Sequence, residues 1–526
     1  MSIVTPVPQH TDIVLYGNVG WDNTYQNIRL FESKEEREEY LAPLQVDDGQ
    51  FDTCSVVSGN KIRVIGRVND FIEVTYLKFT NYGISNAGRA PTYYAFVTSV
   101  DYVNVNATEL TFEIDWVQTY LFSFEFEACL VEREHVNNDT QGLWVLPENL
   151  DVGEYIIRKT DETNFTPVVL IYAWEEDIKS SAVNNVITTS AATGFYLSEI
   201  GEINTLLDRY NDAPERIQMI IMGVSDMLDF SDIRRVPKSF ARFWSITREG
   251  NFSNDGGTTV YVPRNQKLRC YPYMFISLDN YMGNVENYRW EEFQTPSIAE
   301  FGIEGSACPK PAMICYPIDY KGVKATSTSR NTADQLSLEY TNFPMVPFTS
   351  NTFESWVSQY GTSNFISAGA QIATGVAGIA GSIATGNPIL GFMGATSLAS
   401  QIAGTVQDYR YHQIHGLQSH GNVGNAGLQF ARGLIGFRAT QYQIRREVAE
   451  RLDKFFDRFG YKVDVVKVPN TKGRKNVNYV KTVGAQVKGN VPDVARRTLE
   501  QAMDRGVSFW HTNAIGADMA SNPIVR

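Results

Sequence analysis

The chain has 526 residues, of which 43% are hydrophobic, 12% aromatic and 20% charged, and its formal net charge at pH 7 is −13. Such a length allows roughly three to five domains, and such a composition excludes both wholesale disorder and a polytopic membrane protein. The acidity excludes broad adhesion to nucleic acid, which needs several Lys or Arg to neutralise phosphates. The charge is uneven: residues 408–526 hold 19 Lys+Arg against 10 Asp+Glu, a surplus of +9, and residues 1–407 hold 27 against 49, a deficit of −22.

The start MSIVTPVPQH has no basic stretch leading into an apolar run. No secretory signal or transit peptide is expected there, and synthesis is expected to end in the cytoplasm. With 27 Tyr and 29 Phe, the chain leans toward strands, and a mainly β fold with α+β parts is expected. Between residues 50 and 135 the runs Lys61–Val68, Phe71–Phe79 and Tyr93–Val103 are bounded by turn residues and predict a β meander. In Leu110–Val117 the apolar Leu110, Phe112, Ile114 and Trp116 alternate with Thr111, Glu113, Asp115 and Val117. This predicts a half-buried strand with Glu113 and Asp115 on its solvated face. Paired carboxylates there also have the makings of an acid and base or a cation site, but a solvated face is the simpler expectation.

From 150 to 320 the pattern mixes strands (Pro167–Ala173, Met219–Val224, Val260–Val262) with a helix over Ser198–Tyr210, and Asp226, Asp229 and Asp232 lie three apart rather than at the alternate positions of a calcium loop. The next segment differs from the rest of the chain. From Ser355 to Gln407 there is no charged residue, and Gly, Ala, Ser, Thr and Ile dominate. Asn364–Thr385 would make a helix of about 33 Å, Gly386, Asn387 and Pro388 form a strong turn, and Ile389–Val406 would return. Small residues recur four apart, as at Ala373, Ala377 and Gly381, which suits close helix packing in a membrane. There is no unbroken run of about 18 strongly apolar residues, so a constitutive anchor is not expected. A pair of core helices or a Gly-rich linker fits the same composition.

Beyond it, Ile444, Val448, Leu452, Phe455, Phe456 and Phe459 predict an amphipathic helix stopped by Gly460. Strands Tyr461–Val468 and Asn476–Val483, a helix ending near Gly506 and a last strand Val507–Trp510 complete an α+β end. The expected division is a β-rich segment 1–150, a mixed β segment 151–340, an uncharged loop region 341–430 with its core at 355–407, and an α+β segment 431–526.

The phosphate-loop, zinc-protease, nucleophile-elbow and dinucleotide-binding motifs are all absent from the sequence. His412, His415 and His420 have no common zinc spacing, Gly421, Gly424 and Gly427 follow no strand, and five scattered cysteines form no CxxC pair. The expectation is therefore no enzyme, no catalytic residue, no cofactor and no metal. Buried or free thiols are the expected state of the cysteines.

Several stretches together resemble one family. They are Trp21–Asn27, Tyr93–Thr98, Phe112–Thr119, Glu132–Val136, Tyr271–Tyr273, Phe455-Phe456 with Gly460–Lys462, and Gly506–Thr512. In this order they resemble the tail-knob proteins of small short-tailed phages of Gram-positive hosts, the picovirus type from Bacillus and Streptococcus phages. The resemblance runs nearly the whole chain and is closest at its two ends. It implies β-rich tail-tube domains closed into a homo-hexameric ring at the phage tail tip, joined to other phage tail proteins and assembled in the host cytoplasm. It implies a conduit for double-stranded DNA in transit, without specific binding. It also implies that long hydrophobic loops plug the channel and then enter the host cell membrane. That role falls here on Phe365, Ile366, Ile372, Val376, Ile379, Ile383, Ile389, Leu390, Phe392, Met393, Leu398 and Ile402, with Gly386, Asn387 and Pro388 as the hairpin turn. The alternatives are a tail-associated cell-wall hydrolase and a receptor-binding adhesin.

Overall fold

A computed structural model of the chain describes residues 10–347 and 434–525, apart from 52–54, 58–59, 83–90, 164, 174–193, 199–216, 230–235, 238, 255–259, 307–310, 323–336, 342 and 344. The protein is mostly β. It forms two compact units: the first comprises residues 1–151, 263–268 and 447–526, and the second comprises 152–262 and 269–446.

The first unit holds an antiparallel seven-stranded sheet. Its strands, in spatial order, are Gln45–Phe51, His10–Tyr16, Tyr76–Tyr82, Thr92–Asn104, Ala107–Ile114, Lys61–Ile65 and Ser55–Val57. Alternation along these strands feeds two cores. Ile13, Leu15, Ile62, Val64, Leu77, Ala95, Leu110 and Phe112 fill one. Tyr76, Tyr94 and Phe96 belong to the other, with Trp21, Tyr25 and Ile28 from the start of the chain and Val480, Leu499, Met503, Val507 and Phe509 from its end. The central strands therefore carry apolar residues on both faces, each worth roughly 1.5–3 kcal/mol when fully buried.

The start and end of the chain also share a five-stranded sheet, ordered Asn27–Arg29, Val507–Trp510, Val477–Val483, Cys129–Glu134 and Tyr461–Lys467. The Asn27–Arg29 strand runs parallel to Val507–Trp510 and the other pairings are antiparallel. Four helices accompany these sheets among the described residues: α1 (Lys34–Leu41), α2 (Trp116–Tyr120), α3 (Arg446–Phe459) and α4 (Asp493–Arg505). Helix α4 buries Ala495, Leu499, Ala502 and Met503, which lie on one face at helical spacing. Helix α3 stops where the sequence predicts. Gly460 sits at φ +63°, and a Cβ there would lie 2.1 Å from the Glu134 carbonyl oxygen.

The second unit holds three four-stranded sheets. The first orders Tyr155–Glu162, Arg438–Ile444, Met274–Asp279 and Val285–Tyr288; the second Gly194–Ser198, Pro167–Ala173, Ile217–Val224 and Met345–Pro347; the third Ser239–Thr247, Ile298–Ser306, Ala312–Pro317 and Leu338–Tyr340. Buried Tyr288, Phe293, Phe301 and Tyr320 interlock edge to face in this unit, with centroids 4.8–5.9 Å apart for four of their pairs.

Four sequence expectations are revised. The strand expected from Phe71 starts at Tyr76, because Phe71 turns inward and its ring fills the space beside Gly66. The strand expected to reach Val117 stops at Ile114, where Asp115 opens α2. Val260–Val262 is no strand: only Tyr261 pairs, in a single bridge with Phe252. Ser198 ends a strand rather than starting a helix, and residues 199–210 lie outside the described residues.

Gly460→Ala forces a side chain into both a left-handed backbone and the Glu134 carbonyl. We expect it to destabilise the first unit by about 2 kcal/mol or more, read as a lower denaturation midpoint with an unchanged slope.

Candidate functional site

All twelve loop residues expected to enter a membrane, from Phe365 to Ile402, and the turn Gly386–Pro388 lie outside the described residues, as do Asp232, His412, His415, His420, Gly421, Gly424 and Gly427. Among the described residues no helix is long and apolar enough to cross a membrane, and no group of three or more His, Cys, Asp or Glu is placed to hold a metal ion. Cys129, Cys270 and Cys315 are buried free thiols. Two buried polar knots of the first unit bear on the candidate residues.

The first knot corrects the reading of Asp115. This residue is fully buried rather than solvated. Its Oδ2 accepts from Trp21 Nε1 at 3.1 Å and from Tyr76 OH at 2.9 Å, and its Oδ1 accepts from the Gln118 backbone N–H at 3.1 Å, capping α2. Burial pushes its carboxyl up to about 6, and the three donors oppose that rise. Glu113, its supposed neighbour on a solvated face, is exposed and accepts from Asn23 Nδ2 at 3.0 Å. The two carboxylates therefore sit in different environments, and Asp115 is fully engaged as an acceptor. The arrangement anchors a fold and offers no acid–base pair.

The second knot ties the short segment 263–268 to α3 and its neighbours. Asp453 accepts from the backbone N–H groups of Arg264 (2.8 Å) and Asn265 (3.0 Å) and from Asn265 Nδ2 (2.7 Å), while Asp457 accepts from Asn265 Nδ2 (2.8 Å) and pairs with Arg264. These two carboxylates, four apart on one helix face, replace the partners that a buried loop backbone would otherwise lack. Glu148 is buried beside them, pairs with both Arg133 and Lys267, and also accepts from the Lys462 N–H at 3.0 Å. Leaving one such charge unpaired would cost several kcal/mol, so the triad fixes position more than it adds stability.

His135, 3% exposed, accepts at Nδ1 from the Tyr479 N–H (2.8 Å), so its Nε2 carries the proton toward the Asp457 carbonyl (3.0 Å). Burial and the charge of Arg474 push the imidazole down to about 4. Arg474 and His135 line an open cleft of ≈430 Å³ together with Met519–Pro523. The same neutral ring that donates and accepts here is unavailable for proton transfer. Sequence reasoning passed over Arg133, Glu148 and Lys267 because the pairs lie 15 and 119 positions apart.

Opposite pH dependences follow. Between pH 6.5 and about 4 the unfolded chain binds a proton at His135 that the native state refuses, so this group lowers stability as pH falls. Between about pH 6 and 3.8 the native state binds a proton at Asp115 that the unfolded chain lacks, so this group raises stability as pH falls. Each contributes about 3 kcal/mol across its window, and the two largely cancel. Relative to the parent, Asp115→Asn is expected to lose stability on acidification from pH 6 to 4, and His135→Gln to gain it. Denaturation midpoints across that range check both signs.

Residues 240–523 match the family described as Bacillus phage phi29 tail knob protein gp9, C-terminal domain. Residues 9–125, which contain all seven strands of the seven-stranded sheet, match the N-terminus of caudoviral major tail proteins. The chain is 23% identical over 607 aligned residues to the tail knob protein gp9 of Bacillus phage B103, and 22% identical over 599 to that of Bacillus phage phi29, with 98% of both chains covered in each case. Its fold is similar to that of the bacteriophage C1 tail knob protein gp12, with a TM-score of 0.60, 15% identity, and coverage of 98% of this chain and 100% of the other. A match over more than half its length, continued to both ends by full-length relatives, means that the chain belongs to the family of the phi29 tail knob protein gp9.

Proposed function

We propose that the protein is a non-enzymatic virion component that forms the distal tail knob as a homo-hexameric ring, through which double-stranded DNA leaves the particle. Membership of the tail-knob family carries this reading. The match of its first sheet to major tail proteins supports a tube wall. In this reading segments 1–150 and 431–526 supply the wall, 151–340 is a middle domain, 341–430 is the loop region, and other phage tail proteins hold the ring at the tail tip. A closed head-to-tail ring leaves no subunit surface open to further growth. A net charge of −13 suits DNA passing without adhering, because few cations are available to release phosphate counterions.

The uncharged stretch 355–407 is the element that plugs the channel and then enters the host membrane. Its apolar residues favour insertion by roughly 0.3–0.6 kcal/mol each, while Gly, Ser, Thr and Asn subtract from that, so one copy is marginal and several released at one rim act together.

Mass measurement at virion-like salt is expected to give a closed ring of six copies, and a persistent monomer in the presence of tail partners defeats the ring. Dye release from liposomes tests the loop. The intact protein is expected to leak dye, and Ile379→Asp to be impaired, since the charge costs about 2.5–3.5 kcal/mol per copy. A deletion of 361–404 is expected to form rings that leak little. Deletion rings that leak like the parent would sink the assignment. Clearing of cell walls would favour a hydrolase instead, and cell binding without leakage an adhesin.

A further inference from the structure

Two arginines of the second unit are drawn together by each other's backbone. Arg248 follows the strand Ser239–Thr247, and its Nη1 donates to the Arg269 carbonyl at 3.3 Å. Arg269 reaches back, its Nε donating to the Gly250 carbonyl at 3.2 Å. The exchange holds two like charges close together. Arg248 is half-buried, its Nε has no hydrogen-bond partner, and among the described residues no acid pairs with it. Burial, and after it the charge of Arg269, pushes its guanidinium down to about 10. Two acids share the region but face other groups: Glu291 directs both oxygens to the Tyr271 N–H at 3.1 Å, and Glu249 lies 3.9 Å from Arg158.

The convergence has a focus. A Cβ on Gly250 would have as its three nearest neighbours Arg248 Nε at 3.6 Å, Arg248 Nη2 at 3.7 Å and Arg269 Nε at 3.7 Å. Nothing in the backbone demands a glycine there, since its φ lies outside the left-handed region and those distances are ordinary contact. What the missing methyl leaves is room beside three guanidinium nitrogens, a few tenths of an ångström beyond hydrogen-bond length and within the adjustment of two long side chains. A partly buried charge without a partner is costly, and a like charge beside it adds to the cost. An anion in that room relieves both. Two guanidinium groups facing one space suit a phosphate, which carries about −1.5 to −2 at pH 7 and offers oxygens to each, better than a carboxylate, whose single charge and plane suit one.

We propose that Arg248 and Arg269 bind one phosphate group in the space that Gly250 leaves open. The bound group balances the charge of Arg248 and ties the chain after Ser239–Thr247 to the chain at Arg269. All three residues belong to the second unit, so the site stands or falls independently of the ring.

Equilibrium dialysis of the full chain against radiolabelled inorganic phosphate, with chloride holding the ionic strength constant, is expected to show one saturable site per chain. Arg248→Gln is expected to weaken binding roughly tenfold or more. Gly250→Ala keeps both charges and fills the space, so it is expected to weaken binding as strongly while the melting temperature without phosphate stays that of the parent. Added phosphate is expected to raise the melting temperature of the parent more than that of either variant, the shared part being the general stabilisation that phosphate gives by exclusion from protein surfaces. No saturable binding overturns the site, and so does binding that both variants retain. Acetate that displaces phosphate at equal concentration overturns the choice of a doubly charged ligand. A short DNA duplex that binds through Arg248 where inorganic phosphate does not also overturns the proposal, reassigning the arginines to a nucleic-acid backbone.

Discussion

One carboxylate in a dry core holds three distant parts of the chain in register. Asp115 receives Trp21 from the first loop, Tyr76 from a central strand and the Gln118 N–H from the helix it caps. An acceptor with three committed donors satisfies groups that would each be costly to bury alone. The aromatic core is built around it: Trp21 meets Tyr76 edge to face at 5.7 Å, and Tyr76 meets Phe96 likewise at 5.3 Å. Burial raises the carboxyl, yet the donors keep it near 6 rather than higher. The knot is a specificity device whose value lies in excluding other packings.

That core is completed only by the last residues of the chain. Val507 and Phe509 enter it beside Tyr25 and Ile28, and Arg29 holds the junction by donating to the Trp510 carbonyl and pairing with Glu36. Residues 152–446 are thus, apart from the return at 263–268, an excursion between two halves of one unit. Loop-closure entropy grows slowly with length, by about 0.6 kcal/mol per doubling, so such an excursion can lengthen or shorten at small cost. Relatives align over 607 positions with a chain of 526 while covering 98% of both, so insertions or deletions separate them. The cost falls on folding rate, since contacts of high sequence separation slow folding.

How much of this was legible in the sequence depended on whether the controlling interaction was local. A short apolar run located Pro167–Ala173 to the residue, and helical spacing with Gly460 located α3, because such signals are written within one turn or strand. Asp115 was misread because alternation from Leu110 continued past it by chance. The signal was nevertheless present: Asp115 followed three residues later by Gln118 is a helix-start pattern, and it outranks a two-residue period at a strand end. The Arg133–Glu148–Lys267 triad and the parallel pairing of Asn27–Arg29 with Val507–Trp510 left no such trace. Their partners are set by topology, and no local window contains both. The residues proposed to enter a membrane lie outside the described residues; composition marks their stretch through the missing charge of 355–407, and the proposed role comes from the family resemblance.

A segment that is carried in water and then enters lipid faces two opposed demands, and the composition of 355–407 reads as a compromise between them in the proposed role. A strongly apolar stretch would insert at the first membrane met or aggregate neighbouring particles, while a charged one would pay the full desolvation penalty at the host. Ala, Gly, Ser and Thr between scattered Ile and Phe keep each copy near balance, so that number rather than strength decides the outcome. In the proposed hexamer, six marginal segments tethered to one rim would share a single encounter with the bilayer, and their small gains would add at high effective concentration. A lone subunit lacks that sum. In the proposed function the ring would then be a condition for membrane entry as well as a tube for DNA, because closure would convert individually weak loops into a committed group.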